Sequence, residues 1–197
     1  THRCFMKRFP PNVVSVNVWH GMPIKRIGWM LPGDQGISAK YTLATSEFWA
    51  KTMRKCMRPD GEVIATGLPR NDRLFSDPEK IRNKLDLPLD CKLAAWLPTY
   101  RRSIRGDLRI DGNDTGSPFE MDGVIPEELN DFLRANNTVM IVKPHPMARI
   151  KNAAILSNLL IISDDWLKEK SVSLYEMLGA TDFLVSDISS VVIDYLL

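Results

Sequence analysis

Short apolar runs alternate with well-signalled helices along the whole chain, and that alternation restricts the fold more than any other feature. "VVSVNVWH" and "YTLAT" read as strands, the first delivering His20 to a loop at its carboxyl end. "TSEFWAKTMRKCM" carries the marks of a helix: Thr45 or Ser46 as cap, Glu47 in the first turn, cations in the last turns and Pro59 as a stop. "GEVIATGLPR" runs as a strand from Gly61 into a Gly-Leu-Pro turn, the best place for a hinge. "SDPEKIRNKLDLP" predicts a helix with Ser76 and Glu79 as a capping box and Pro88 as terminator. "KLAAWLPTYR" predicts a buried strand, followed by a long, polar, Gly-rich surface loop. A helix over about 126 to 135 comes next, then strands in "TVMIVKPHP" and "LLIIS". "SVSLYEMLGA" predicts a helix, "DFLVSD" a strand, and "SSVVIDYLL" the opening of another helix.

Strands that are continuous apolar runs are buried on both faces, and a parallel sheet with crossover helices buries them that way. The pattern therefore predicts an α/β protein with parallel sheets, in two Rossmann-like halves joined near residues 67 to 90. At 197 residues, 44% hydrophobic and 25% charged, the chain has enough apolar material for one good core or two small ones. A formal net charge of +2 means that any attraction for polyanions comes from local clusters, not from the whole field. The basic residues are dispersed and no stacking aromatics accompany them, so nucleic acid is not an expected partner. Cys4, Cys56 and Cys91 are widely spaced and odd in number, which reads as reduced intracellular thiols with no metal site. No apolar run approaches the roughly 18 to 20 residues of a spanning helix, and "THRCFMKRFP" lacks the apolar core of a signal peptide. A cytoplasmic chain is expected. It starts at Thr1 without an initiator Met and stops in the uncapped "SVVIDYLL", which reads as a piece truncated at both ends.

The notable polar groups fall where strands end: His20 after "VVSVNVW", Thr99 to Arg102 after "LAAWLP", Lys143 to His145 after "VMIV", and Asp187 to Ser190 after "FLV". Open α/β sheets bind ligands at that edge. Ser189 and Ser190 stand at a helix start, where free N–H groups and hydroxyls suit a phosphate; the plainer reading is that they are N-caps. Asp194, one turn further on, either orients a ribose or polyol hydroxyl or is a solvated helix carboxylate. In "KPHP" two prolines stiffen the backbone around His145, and Lys143 offers charge for a pyrophosphate or is a strand-end cation. His20, in "WHGMP", is a candidate general base or a hydrogen-bonded loop histidine under Trp19. Arg101 and Arg102 either grip phosphate or are solvated. "KTMRKCMR" reads first as the solvated face of a helix. P-loop, dinucleotide and hydrolase-elbow motifs are absent.

Taken in order, "WHGMPIKRIG", "TGLPRNDRL", "WLPTYR", "KPHP" and "SDISSVVIDYLL" resemble the CDP-glycerol glycerophosphotransferase family of teichoic-acid and capsule polymerases, over nearly the whole chain. Ile188 departs from the pattern, standing where members often carry tyrosine. The resemblance implies a GT-B fold of two Rossmann-like domains with the active site in the cleft between them. Residues 1–67 would then be the C-terminal part of the N-terminal, acceptor-side domain, 68–91 a linker and helix, and 92–197 most of the CDP-donor domain. It implies transfer of glycerol phosphate or a related polyol phosphate from CDP-glycerol or CDP-ribitol to a hydroxyl of a lipid-linked acceptor, releasing CMP, with no cofactor and no assigned metal site. His20 would be the general base. His145, Ser189 and Ser190 would hold the donor phosphates, with Arg101 and Lys143 assisting and Asp194 orienting the polyol or ribose. The location implied is cytoplasmic and peripheral, at the inner face of the membrane, held there by parts outside this chain or by basic surface, for which Lys51, Arg54, Lys55 and Arg58 are the candidate contact. Two other readings remain open on residues alone: a GT-B glycosyltransferase or epimerase using a nucleotide sugar, and a non-catalytic nucleotide-binding fragment.

Overall fold

The structure is a computed structural model that describes residues 10, 12–30, 39–99, 117–119, 122–146 and 156–197. Arg101, Arg102 and most of the long polar loop lie outside the described residues. The chain divides into two compact units, one up to Asp72 and one spanning Arg73–Tyr195.

The first unit is built on three parallel strands in the order β1 (Val16–Asn17), β2 (Tyr41–Ala44), β3 (Glu62–Ala65). Helix α1 (Glu47–Met57) makes the crossover between β2 and β3. Of the two caps the sequence offered, Ser46 is the one used: its backbone is extended and its side chain accepts from the Trp49 N–H at 3.4 Å. Ala50, Met53, Cys56 and Met57 form the buried stripe of α1. The end of α1 is fixed by close approach. Gly28 has a φ of +55°, and a Cβ there would lie 2.2 Å from the Cys56 carbonyl oxygen. The turn Gly28–Met30 is thereby seated against the last turn of the helix.

The second unit has four parallel strands: β4 (Lys92–Leu97), β5 (Thr138–Val142), β6 (Leu159–Ile161) and β7 (Phe183–Ser186), in the order β6-β5-β4-β7. Among the described residues, five helices accompany them: α2 (Pro78–Lys84), α3 (Pro126–Ala135), α4 (Asp164–Glu169), α5 (Leu174–Gly179) and α6 (Val191–Tyr195). The period-2 geometry of a strand divides the core into two layers. Leu93, Ala95, Leu97, Val139 and Ile141 face one layer with Ile81, Leu85, Leu167, Met177, Leu178 and Val191 from the helices. Ala94, Met140, Val142, Leu159 and Ile161 face the other with Leu133 and Phe119. This is why the strands read as unbroken apolar runs: both faces are covered.

A buried arginine ties α2 to the sheet. Arg82 donates to the carbonyls of Ala180 and Cys91 at 3.1 and 2.9 Å and to Asp182 at 2.9 Å. Asp182 in turn accepts from the Leu93 N–H at 2.6 Å, at the start of β4.

One local expectation is corrected and one helix is added. The cap of α2 is Asp77, whose Oδ1 accepts from the Glu79 and Lys80 N–H groups at 3.1 and 3.2 Å, because Pro78 takes the first helical position and moves the cap next to it. Helix α4, absent from the sequence reading, forms behind Ser163, whose hydroxyl accepts from the Trp166 N–H at 3.2 Å.

Candidate functional site

In the first unit, β1 ends three residues before His20. Trp19, Gly21 and Met22 are buried while His20 is exposed, so the buried neighbours on both sides present the imidazole to solvent. The Trp19 ring lies 4.4 Å from the His20 ring, tilted by 38°. Arg70 donates from Nη1 to the Trp19 carbonyl at 3.0 Å, which ties the segment after β3 to the loop after β1, two carboxyl ends of one parallel sheet. The motif around "TGLPR" thus includes a residue that steadies the histidine loop, a role the sequence did not disclose.

In the second unit, β4 lies between β5 and β7, and the pairs Trp96↔Val142 and Leu97↔Ser186 bring their carboxyl ends level. Thr99, Lys143, His145 and Asp187 therefore leave the sheet along one edge, with Ser189 and Ser190 on the turn that follows β7. Two of these residues join directly. The Thr99 hydroxyl donates to Asp187 Oδ1, and the Thr99 N–H donates to Oδ2 at 3.2 Å. Ser186 adds a hydroxyl bond to the Leu97 carbonyl at 3.0 Å. The loops that follow β4 and β7 are fastened to each other at their first residues.

Lys143 is buried, and its ammonium lies 2.8 Å from Asp164 Oδ1 in α4. It is a cation with a fixed partner, not one held out to solvent. Pro144 is buried beside it and His145 is exposed. Ser189 and Ser190 are half-buried; the Val191 N–H lies 3.5 Å from the Ser189 hydroxyl oxygen, and the Ser189 and Ser190 carbonyls start α6. Both the capping and the phosphate roles of these serines fit this placement.

Asp194 is not a solvated carboxylate. It is 1% exposed and accepts from the Tyr175 hydroxyl at 2.6 Å. The Tyr195 hydroxyl donates to the Thr181 carbonyl at 3.2 Å, so Tyr175 of α5 and Tyr195 of α6 together tie α6 to α5 and the turn after it. Asp164, Tyr175 and Asp187 as partners are additions of the structure, because these contacts join segments far apart in sequence. Among the described residues, no group of three or more His, Cys, Asp or Glu side chains is arranged to hold a metal ion. Among the described residues, likewise, no helix is long and apolar enough to cross a membrane.

A layered parallel α/β sheet with hydroxyl, imidazole and carboxylate groups at its carboxyl edge is a Rossmann-like arrangement, in which that edge is where ligands bind. Residues 2–197 match the family described as CDP-Glycerol:Poly(glycerophosphate) glycerophosphotransferase, and the chain belongs to that family. It is 27% identical over 214 residues to the teichoic acid poly(glycerol phosphate) polymerase of Staphylococcus epidermidis, covering 93% of this chain and 27% of that protein. It is 24% identical over 215 residues to the teichoic acid glycerol-phosphate transferase of Staphylococcus aureus, covering 94% of this chain and 50% of that one. Among solved structures, a variant of the wall teichoic acid polymerase TagF superposes with a TM-score of 0.70 at 22% identity, over 99% of this chain and 50% of that one. Another TagF variant, soaked with CDPG, superposes with a TM-score of 0.65 at 19% identity, over 95% of this chain and 48% of that one. The chain thus spans half or less of the length of these relatives. The α/β, GT-B-like fold expected from the sequence is the fold found.

Proposed function

We propose that the chain carries catalytic machinery of a polyol-phosphate transferase, which moves glycerol phosphate or ribitol phosphate from a CDP-activated donor to a hydroxyl of a lipid-linked acceptor and releases CMP. The observation that carries this reading is the family match over residues 2–197. The relatives' names, teichoic acid polymerases and a glycerol-phosphate transferase, favour teichoic acid synthesis as the setting. The site of action is the cytoplasmic face of the membrane, where an activated nucleotide donor and a lipid-linked acceptor meet.

The chemistry assigned to the chain is an in-line displacement. The acceptor hydroxyl oxygen attacks the β-phosphorus of the donor and forms the new P–O bond. The bond from that phosphorus to the bridging oxygen breaks, and CMP leaves with the oxygen and its electron pair. The hydroxyl proton passes to a neutral imidazole, and His20 is presented for that role between its buried neighbours. His145 and the hydroxyls of Ser189 and Ser190 hold the donor phosphates and donate to the charge that develops on the leaving group. Arg101, two residues beyond Thr99 in the sequence, assists there. Lys143 acts through a fixed ammonium, because Asp164 already balances much of its charge. Asp194 positions α6 and its preceding serines through Tyr175, and so orients the donor polyol or ribose from behind.

The test is CMP release by the full-length protein, with CDP-glycerol, CDP-ribitol and UDP-glucose offered separately beside a lipid-linked acceptor analogue. His20→Ala is expected to lower turnover by about 10² to 10⁴ while donor binding holds. Nucleotide release from UDP-glucose alone would replace the donor, and near-full turnover in the variant would remove His20 as the base.

A further inference from the structure

A negative charge stands where the proposed chemistry wants none. Asp187 directly follows β7, two positions before Ser189 and three before Ser190, the serines assigned to the donor phosphates. A carboxylate so close to a bound diphosphate repels it, and the more so where water is excluded. Thr99 supplies the reason for its presence. As the second residue after β4, it turns both of its donors onto that carboxylate, the hydroxyl to Oδ1 and the backbone N–H to Oδ2 at 3.2 Å. Two donors on two oxygens fix the carboxylate in orientation as well as in place.

The sheet itself does not need this contact. The ladder between β4 and β7 ends at Leu97↔Ser186, where the Ser186 hydroxyl already donates to the Leu97 carbonyl at 3.0 Å. The pair of Thr99 and Asp187 lies past that point, and Thr99 is buried. What the pair restrains is the turn from β7 into α6. At its far end the turn is anchored by α6, whose Val191 and Asp194 are buried. Ser189 and Ser190 stand between these two anchors, so the clasp at Asp187 sets where their hydroxyls point. Stabilising developing charge needs donors placed within fractions of an ångström.

We propose that Thr99 and Asp187 are positioning residues, and that the clasp between them aims the Ser189 and Ser190 hydroxyls at the diphosphate of the donor. The assignment rests on the transferase reading for the identity of the ligand, whereas the hold on the turn is measurable without it.

Charge and positioning give opposite signs for Asp187→Asn. Removing a negative charge beside a bound diphosphate tightens donor binding. Loosening the turn weakens it, because an amide accepts at one atom and presents a donor at the other. The expected result is a higher KM for the CDP-polyol and a kcat/KM lower on the order of 10-fold. Thr99→Val, similar in shape but without the hydroxyl, is expected to lose a similar factor, and Thr99→Ser to recover most of it. Introduced into Ser189→Ala/Ser190→Ala, Thr99→Val is expected to cost little more, because changes that act through one group are not additive.

The experiment follows CMP release from CDP-glycerol and CDP-ribitol by the full-length protein and these variants, with hydrogen–deuterium exchange over residues 187–193 measured on the same proteins. Thr99→Val is expected to speed exchange in that segment and to leave β5 as in the wild type. Unchanged exchange, tighter donor binding in Asp187→Asn, no recovery in Thr99→Ser, or a full additive loss in the serine-free background would overturn the proposal. A wild type that releases CMP from neither donor removes the transferase reading and the ligand with it; the exchange comparison then decides alone whether the clasp holds the turn.

Discussion

Arg82 shows how one side chain can hold several segments at once. Its guanidinium satisfies two carbonyls and one carboxylate, and the same carboxylate accepts from the first turn of chain into β4. Arg82→Met keeps much of the stem but leaves Asp182 and two carbonyls short of a donor, so the second unit should lose about 3 kcal/mol, read as a lower urea midpoint. Glu176 gives the pH counterpart. The Ser173 hydroxyl and backbone N–H, joined by Arg73 at 3.1 Å, hold its carboxyl below the usual glutamate range. A carboxyl whose pKa falls on folding stabilises the folded state above its unfolded value and loses that contribution as pH drops through the folded one. Acid titration of stability should therefore show a loss that begins as pH falls into the ordinary glutamate range and is completed below it, and Glu176→Gln should flatten it. Burial pushes the Cys56 thiol up from its usual value, which fits a thiol enclosed by the core and unsuited to nucleophilic work.

At the scale of elements, α1 is the most demanding test of the local account. Ser46→Ala removes the cap acceptor and should lower stability by about 1 kcal/mol, whereas Gly28→Ala should do worse, because the added methyl meets the Cys56 carbonyl and the left-handed backbone is disfavoured for alanine. Circular dichroism melts of the two variants give the ranking. Elements with clear signals were legible in the sequence: α1 had a cap, an acidic first turn and a stop, and α3 lay over Pro126–Ala135, the range expected for it. Helix α4 was harder to read, since its short stretch "DDWLKE" has no repeating apolar period, although Ser163 and the acidic first turn of Asp164 and Asp165 mark its start. The site divides in the same way. His20, His145 and the serines stood out as polar groups ending apolar runs. The partners that set their surroundings did not, because Arg70 reaches Trp19 across 51 residues and Tyr175 reaches Asp194 across 19.

For the whole molecule, the second unit's sheet sets an order of rigidity. β4 and β5 are central, paired on both sides and covered by both apolar layers, while β6 and β7 form the edges. Amide hydrogen exchange should therefore be slowest in β4 and β5, with β6 and β7 releasing earlier. The neighbour relation of β4 and β7 reaches further, into the history of each molecule as it is made. The Ser186 to Leu97 bond that levels their ends joins residues 89 apart in the chain. A ribosome must thus deliver everything between them before the edge carrying Thr99 and Asp187 can close. Until then β4 waits with one flank unpaired, so the edge assigned to hold the donor closes only after the whole stretch from β4 to β7 has been made.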